Sequence, residues 1–197
     1  LDMDCCRQRI YVWVCAQYGF DAPQTKRYVD NKDSIRATVA REEGVTVKAA
    51  KEMLNAVYMS DKPRQCKGPT LQAIDVEAKE MQQHLDAVPA LQWIKQQEAY
   101  AEKLTKKQQD GSEPNPKGSF LHYVFELVEC PLLLRVAKML VVEQKEPIAD
   151  FEWDGLKVAN GTLFGNQQIL AMAAAACEEV CPGIHMKWEW KPLDVEV

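Results

Sequence analysis

The chain lacks any apolar run approaching the roughly 18 residues needed to span a bilayer, and its start, LDMDCCRQR, has neither an initiator methionine nor a secretory-leader pattern. The first absence excludes a membrane-spanning helix. The first also leads us to expect no membrane partner, the second a chain cut from a longer polypeptide, and the cysteine pattern an intracellular one. A basic excess is also missing: the net charge of −5 argues against a simple nucleic-acid-binding patch. Internal repeats and low-complexity tracts are absent. The seven cysteines are odd in number and unevenly spaced. Several of them (Cys15, Cys130, Cys177) lie in apolar helical surroundings, which suits reduced thiols and not a disulfide scaffold. Cys177, Cys181 and His185 have a spacing that suggests zinc, but Pro182-Gly183 breaks any helix aligning them and no fourth ligand is apparent.

What is present suits a folded domain. With 197 residues, 47% of them apolar and 27% charged, the chain can bury one sizeable core or two small ones. Acidity is unevenly spread: between Lys26 and Lys67 there are ten Lys/Arg against six Asp/Glu, so this segment can face a polyanion or simply form a solvated helical surface.

LDMD precedes an apolar helix, CCRQRIYVWVCAQYGF, which ends at Gly19. A short and a longer helix follow to Gly44, with Asn31 or Asp33 as the cap between them. Thr46 opens the next helix, which sets Lys48 and Lys51 close together on one side. Residues 70–107 read as two helices divided near Val88-Pro89, QQDGSEPNPKG is a loop, and Ser119 to Val142 is a long apolar helix with Pro131 inside it. IADFEW and LKVAN are strand-like around Asp-Gly. A helix and an alternating strand, GIHMKWEWKPLD, close the chain, with His185, Lys187, Glu189 and Lys191 on one face. This order predicts an α+β fold, a small antiparallel sheet built from the two ends of the chain with helices packed on it and a mainly helical insertion between. LDMD then lies beside EWDG.

Asp154-Gly155 alone reads as a hairpin tip. Two carboxylates on adjacent strands can instead hold two divalent cations, and magnesium prefers oxygen donors. Four stretches carry a resemblance to the palm and fingers of family A DNA polymerases, and more closely to divergent palm cores of replication proteins in large DNA viruses and mobile elements. LDMDCCRQR resembles the first palm motif, with its aspartate at Asp4; REEGVTVKAAKEMLNAVYM is similar to the fingers helix; NPKGSFLHYVFELVE resembles the stretch opening the helix before the second aspartate; FEWDGLKV resembles that second motif, with Asp154.

The resemblance implies a palm at 1–20 and 110–197 with a fingers-like insertion at 21–109. It implies a DNA-directed nucleotidyltransferase in which Asp4 and Asp154 are catalytic and bind Mg²⁺ or Mn²⁺, with Asp2 on the same strand face as ligand or accessory. Arg36 and Lys48 or Lys51 would contact the dNTP phosphates, Tyr58 would contact the sugar or templating base or else belong to the core, and Gly118-Ser119 would approach the primer or template backbone. Primer-template DNA, dNTP and other domains of the same polypeptide are the implied partners. The chain departs from the family at Met59, where a glycine is usual, at Gly155, where an acid is common, and at Arg7 and Arg9, where neutral or acidic side chains are usual. These departures leave open a palm-like module that binds nucleic acid or protein without catalysis. Phe151, Trp153, Trp188 and Trp190 read as core, and His122 as a buried, hydrogen-bonded histidine.

Overall fold

The computed structural model describes residues 1–109, 115–152, 154–159, 163 and 165–191. Trp153, residues 110–114 of the expected loop and residues 192–194 of the expected last strand lie outside these. By packing, the chain divides into two compact units, Leu1–Trp13 with Glu126–Val197, and Val14–Phe125.

The first unit holds one four-stranded antiparallel sheet: β1 (Asp2–Asp4), β2 (Ile148–Glu152), β3 (Gly155–Val158) and β4 (Lys187–Glu189), in the order β2-β3-β1-β4. Helix α8 (Gln167–Val180) connects β3 to β4, while the chain from helix α1 (Cys6–Gln17) through helix α7 (Pro116–Lys138) lies between β1 and β2. Strand, helix, hairpin, helix, strand with β1 beside β3 is the split βαβ order. The fold is α+β.

Period-2 alternation sorts the sheet faces. Met3 pairs with Trp188 and both are buried, whereas Asp2 pairs with Glu189 and Asp4 with Lys187 on the opposite face. Phe151, expected in the core, is 51% exposed: β2 is the edge strand, with Phe151 opposite Leu156. Helix α7 runs through Pro131 and ends in a π-helical turn, Met139–Glu143.

The second unit is helical: α2 (Pro23–Asp30), α3 (Lys32–Glu43), α4 (Val47–Met59), α5 (Pro69–Ala87), a 3₁₀ stretch (Pro89–Gln96) and α6 (Glu98–Gln109). Gly44 stops α3 at φ 73°, a left-handed conformation that glycine adopts without steric cost. The Thr46 hydroxyl caps α4 by accepting from the Ala49 amide at 3.2 Å. Asn31 takes the N-cap position of α3, but its side chain turns back to the Arg27 carbonyl, and Asp33 lies in the first turn. Buried carboxylates fix several helix starts. Glu77 accepts from the Gln24 and Thr25 amides, each at 2.6 Å, at the start of α2, and Glu43 accepts from Gly68 at 2.9 Å at the start of α5. No helix among the described residues is long and apolar enough to cross a membrane.

Candidate functional site

The β1–β3 pairing brings the two sequence-predicted aspartates to neighbouring strands. Asp4 ends β1, Asp154 immediately precedes β3, and the Met3 amide donates to the Asp154 carbonyl at 2.8 Å. Gly155 lies opposite Asp2. A Cβ at Gly155 would sit 2.5 Å from the Leu1 carbonyl oxygen and 3.1 Å from Asp2 Oδ1, so glycine is required by the close approach of β1. Its φ is not positive, unlike that of the turn glycines Gly165 and Gly183. The expected hairpin-tip role, in which glycine supplies positive φ, is thereby replaced by a packing role.

Both β1 carboxylates meet cations of their own fold. Arg9, buried one turn into α1, donates from Nε to the Asp4 carbonyl at 3.0 Å and places a terminal guanidinium nitrogen 3.4 Å from Asp4 Oδ2. Lys191, just past β4, ion-pairs with Asp2 Oδ2 and lies 3.5 Å from Glu189 Oε1. Burial lowers the Lys191 pKa. Cys5, between Asp4 and α1, adopts φ 49°, a left-handed conformation that costs energy in a non-glycine residue and turns the chain sharply from strand into helix.

Sequence reasoning missed Glu129. It is buried on α7 and its Oε1 lies 3.8 Å from the Cys6 sulfur. Burial, reinforced by the negative charge of Asp154 and opposed by Arg7, pushes its carboxyl up to about 8, so it is largely protonated at neutral pH. Burial likewise raises the Cys6 thiol, with Glu129 and Asp154 adding to the effect. The available signal was a lone acid on an apolar face: Phe125, Glu129, Leu132 and Val136 recur at helical spacing, and all four are buried.

The other candidates belong to the second unit. Lys48 and Lys51 are exposed on successive turns of α4. The Arg36 Nε donates to the Tyr28 hydroxyl at 3.1 Å, and its guanidinium carbon lies 5.8 Å from that ring's centroid. Tyr58 is completely buried, its hydroxyl 3.0 Å from Thr25 Oγ1, so in this conformation it presents no surface to a substrate. Gly118 is pressed against the Met59 carbonyl, and its amide donates to Asp61 Oδ1 at 2.7 Å and Asn115 Oδ1 at 2.9 Å. A nucleic-acid phosphate at this helix start would compete with Asp61. Ser119 is buried, and its hydroxyl has no hydrogen-bond partner among the described residues.

Carboxylate oxygens suit magnesium, and Asp2 and Asp4 carry theirs on one face of β1; the register that sets Gly155 opposite Asp2 sets Asp154 beside Met3, and its charge acts on Cys6 and Glu129. Asp2 and Asp4 are nonetheless compensated by Lys191 and Arg9, and among the described residues no group of three His, Cys, Asp or Glu side chains is arranged to hold a metal ion. As it stands, the arrangement does not fit a two-metal cage. Cys177 and Cys181 are buried, whereas His185 is 84% exposed with its Nδ1 3.0 Å from Glu178. Comparison of the chain with protein-family models, with curated proteins and with solved structures found no match.

Proposed function

We propose that this chain is a palm-type nucleotidyltransferase core of an intracellular DNA-replication protein, extending a primer 3′-hydroxyl on a DNA template with dNTP as substrate. One observation carries the reading: the split βαβ sheet, in which β1 and β3 are neighbours, joins the Asp4 and Asp154 ends of the two motifs through the Met3–Asp154 backbone hydrogen bond of 2.8 Å. Strand, helix, hairpin, helix, strand is also the order that the resemblance implies. The reading assigns Asp2, Asp4 and Asp154 to Mg²⁺ or Mn²⁺, Arg36 and Lys48 or Lys51 to the triphosphate, and Gly118-Ser119 to the primer or template backbone. Tyr58 would reach a substrate only after leaving the core.

Template-directed addition of labelled dNTP to a primer, assayed with Mg²⁺ and separately with Mn²⁺, tests it. Extension by the wild type that is lost in Asp154→Asn supports the reading; extension unchanged in that variant removes it.

The ion pairs of Asp4 with Arg9 and Asp2 with Lys191 favour a second reading, a palm-like module that binds nucleic acid or a protein partner without catalysis. Primer-template binding with no extension in either metal would select it.

A further inference from the structure

Resting on the palm-type reading of the β1 carboxylates, we propose that Lys191 and Arg9 are the resident cations of this sheet face: they hold Asp2 and Asp4 as a divalent ion would, so a metal reaches β1 by displacing a protein cation. The two pairs are independent in the chain. One cation comes from the segment after β4, the other from the first turns of α1, and each engages a different carboxylate of β1.

Their neighbours extend the pattern. Lys187 lies opposite Asp4 and Glu189 opposite Asp2, so across the β1–β4 pair the carboxylates of Asp2, Asp4 and Glu189 are matched by Arg9, Lys187 and Lys191. A divalent ion entering such a group meets repulsion from cations already in contact with its ligands, which lowers its affinity. The two cations are held unequally. The Lys191 side chain is 54% exposed and can swing into water, whereas Arg9 is buried and anchored to the Asp4 main-chain carbonyl, so it stays near β1 when the carboxylate changes partner.

Mn²⁺ titration of the chain by calorimetry tests the proposal in wild type, Lys191→Gln, Lys191→Gln/Arg9→Gln and Lys191→Gln/Asp2→Asn. Lys191→Gln is expected to bind Mn²⁺ about threefold to fivefold tighter than wild type, and the double cation variant at least about tenfold tighter, with the Lys191→Gln gain lost when Asp2→Asn is added. Affinity no higher than wild type in Lys191→Gln, or a gain that persists without the Asp2 carboxylate, overturns it. Because Lys191 is half-exposed, its single variant decides the matter even where loss of buried Arg9 prevents folding.

Primer extension by the same proteins separates the two claims. Tighter Mn²⁺ binding without nucleotide incorporation sinks the transferase reading and leaves the resident cations standing. Incorporation with unchanged Mn²⁺ affinity does the reverse.

Discussion

Gly155 faces Asp2 across the β1–β3 pair so closely that a Cβ there would lie 2.5 Å from the Leu1 carbonyl oxygen. The obstacle is backbone, so a larger side chain displaces β1 itself. Gly155→Ala is expected to destabilise the fold by about 1–3 kcal/mol, read as a lower midpoint in urea, and Gly155→Asp by more. A midpoint unchanged in Gly155→Ala would show that β1 is not held where the structure has it.

Glu129 makes stability depend on pH in an unusual direction for a carboxylate. Its folded pKa is raised from the ordinary 4.5 to about 8. As pH rises from about 4.5 to 8, the unfolded chain releases this proton while the folded chain keeps it, so folding becomes less favourable across that window and levels off above it. Glu129→Gln removes this dependence. It is expected to raise stability relative to wild type at pH 8 by a few kcal/mol, at about 1.4 kcal/mol per unit of pKa difference, and to make little difference at pH 4. Urea titrations at both pH values check the sign; a variant less stable than wild type at pH 8 contradicts it.

The Glu77 carboxylate holds the start of α2 through the Gln24 and Thr25 amides and, at 2.7 Å, the Thr25 hydroxyl. Glu77→Ala leaves these buried donors without their acceptor. The expected loss is about 2–4 kcal/mol, with hydrogen exchange faster at residues 24–30 than elsewhere in the second unit. Uniform exchange with no loss of stability would contradict the role given to Glu77.

Much of the fold was legible in the sequence because its signals are local. Gly44 and Thr46 mark a helix stop and start that both form, and the strand-like ends around Met3 and Trp188 do meet in one antiparallel sheet. LDMD does lie beside EWDG, with Asp2 opposite Gly155, as the strand-like stretches imply. The partners of the candidate carboxylates were not legible. Arg9 reaches Asp4 only because Cys5 turns the chain at φ 49°, and Lys191 reaches Asp2 through the β1–β4 register. Glu129 joins Cys6 across 123 positions of sequence. Tyr58 matched a motif position, yet its place on the covered side of α4, beside Thr25, depends on how α2, α4 and α5 pack. The apolarity of Phe151 points to the core, but nothing in the sequence marks β2 as the edge strand that leaves it half exposed.

The proposed transferase reading requires Asp4 and Asp154 to act as one site. Single-nucleotide incorporation on a primer-template, measured in wild type, Asp4→Asn, Asp154→Asn and the double variant, tests it most directly. Residues that act as a unit are strongly non-additive, so the account predicts that either single change lowers the rate about as far as both together. Independent losses that multiply in the double variant, or incorporation indifferent to both changes, would contradict it.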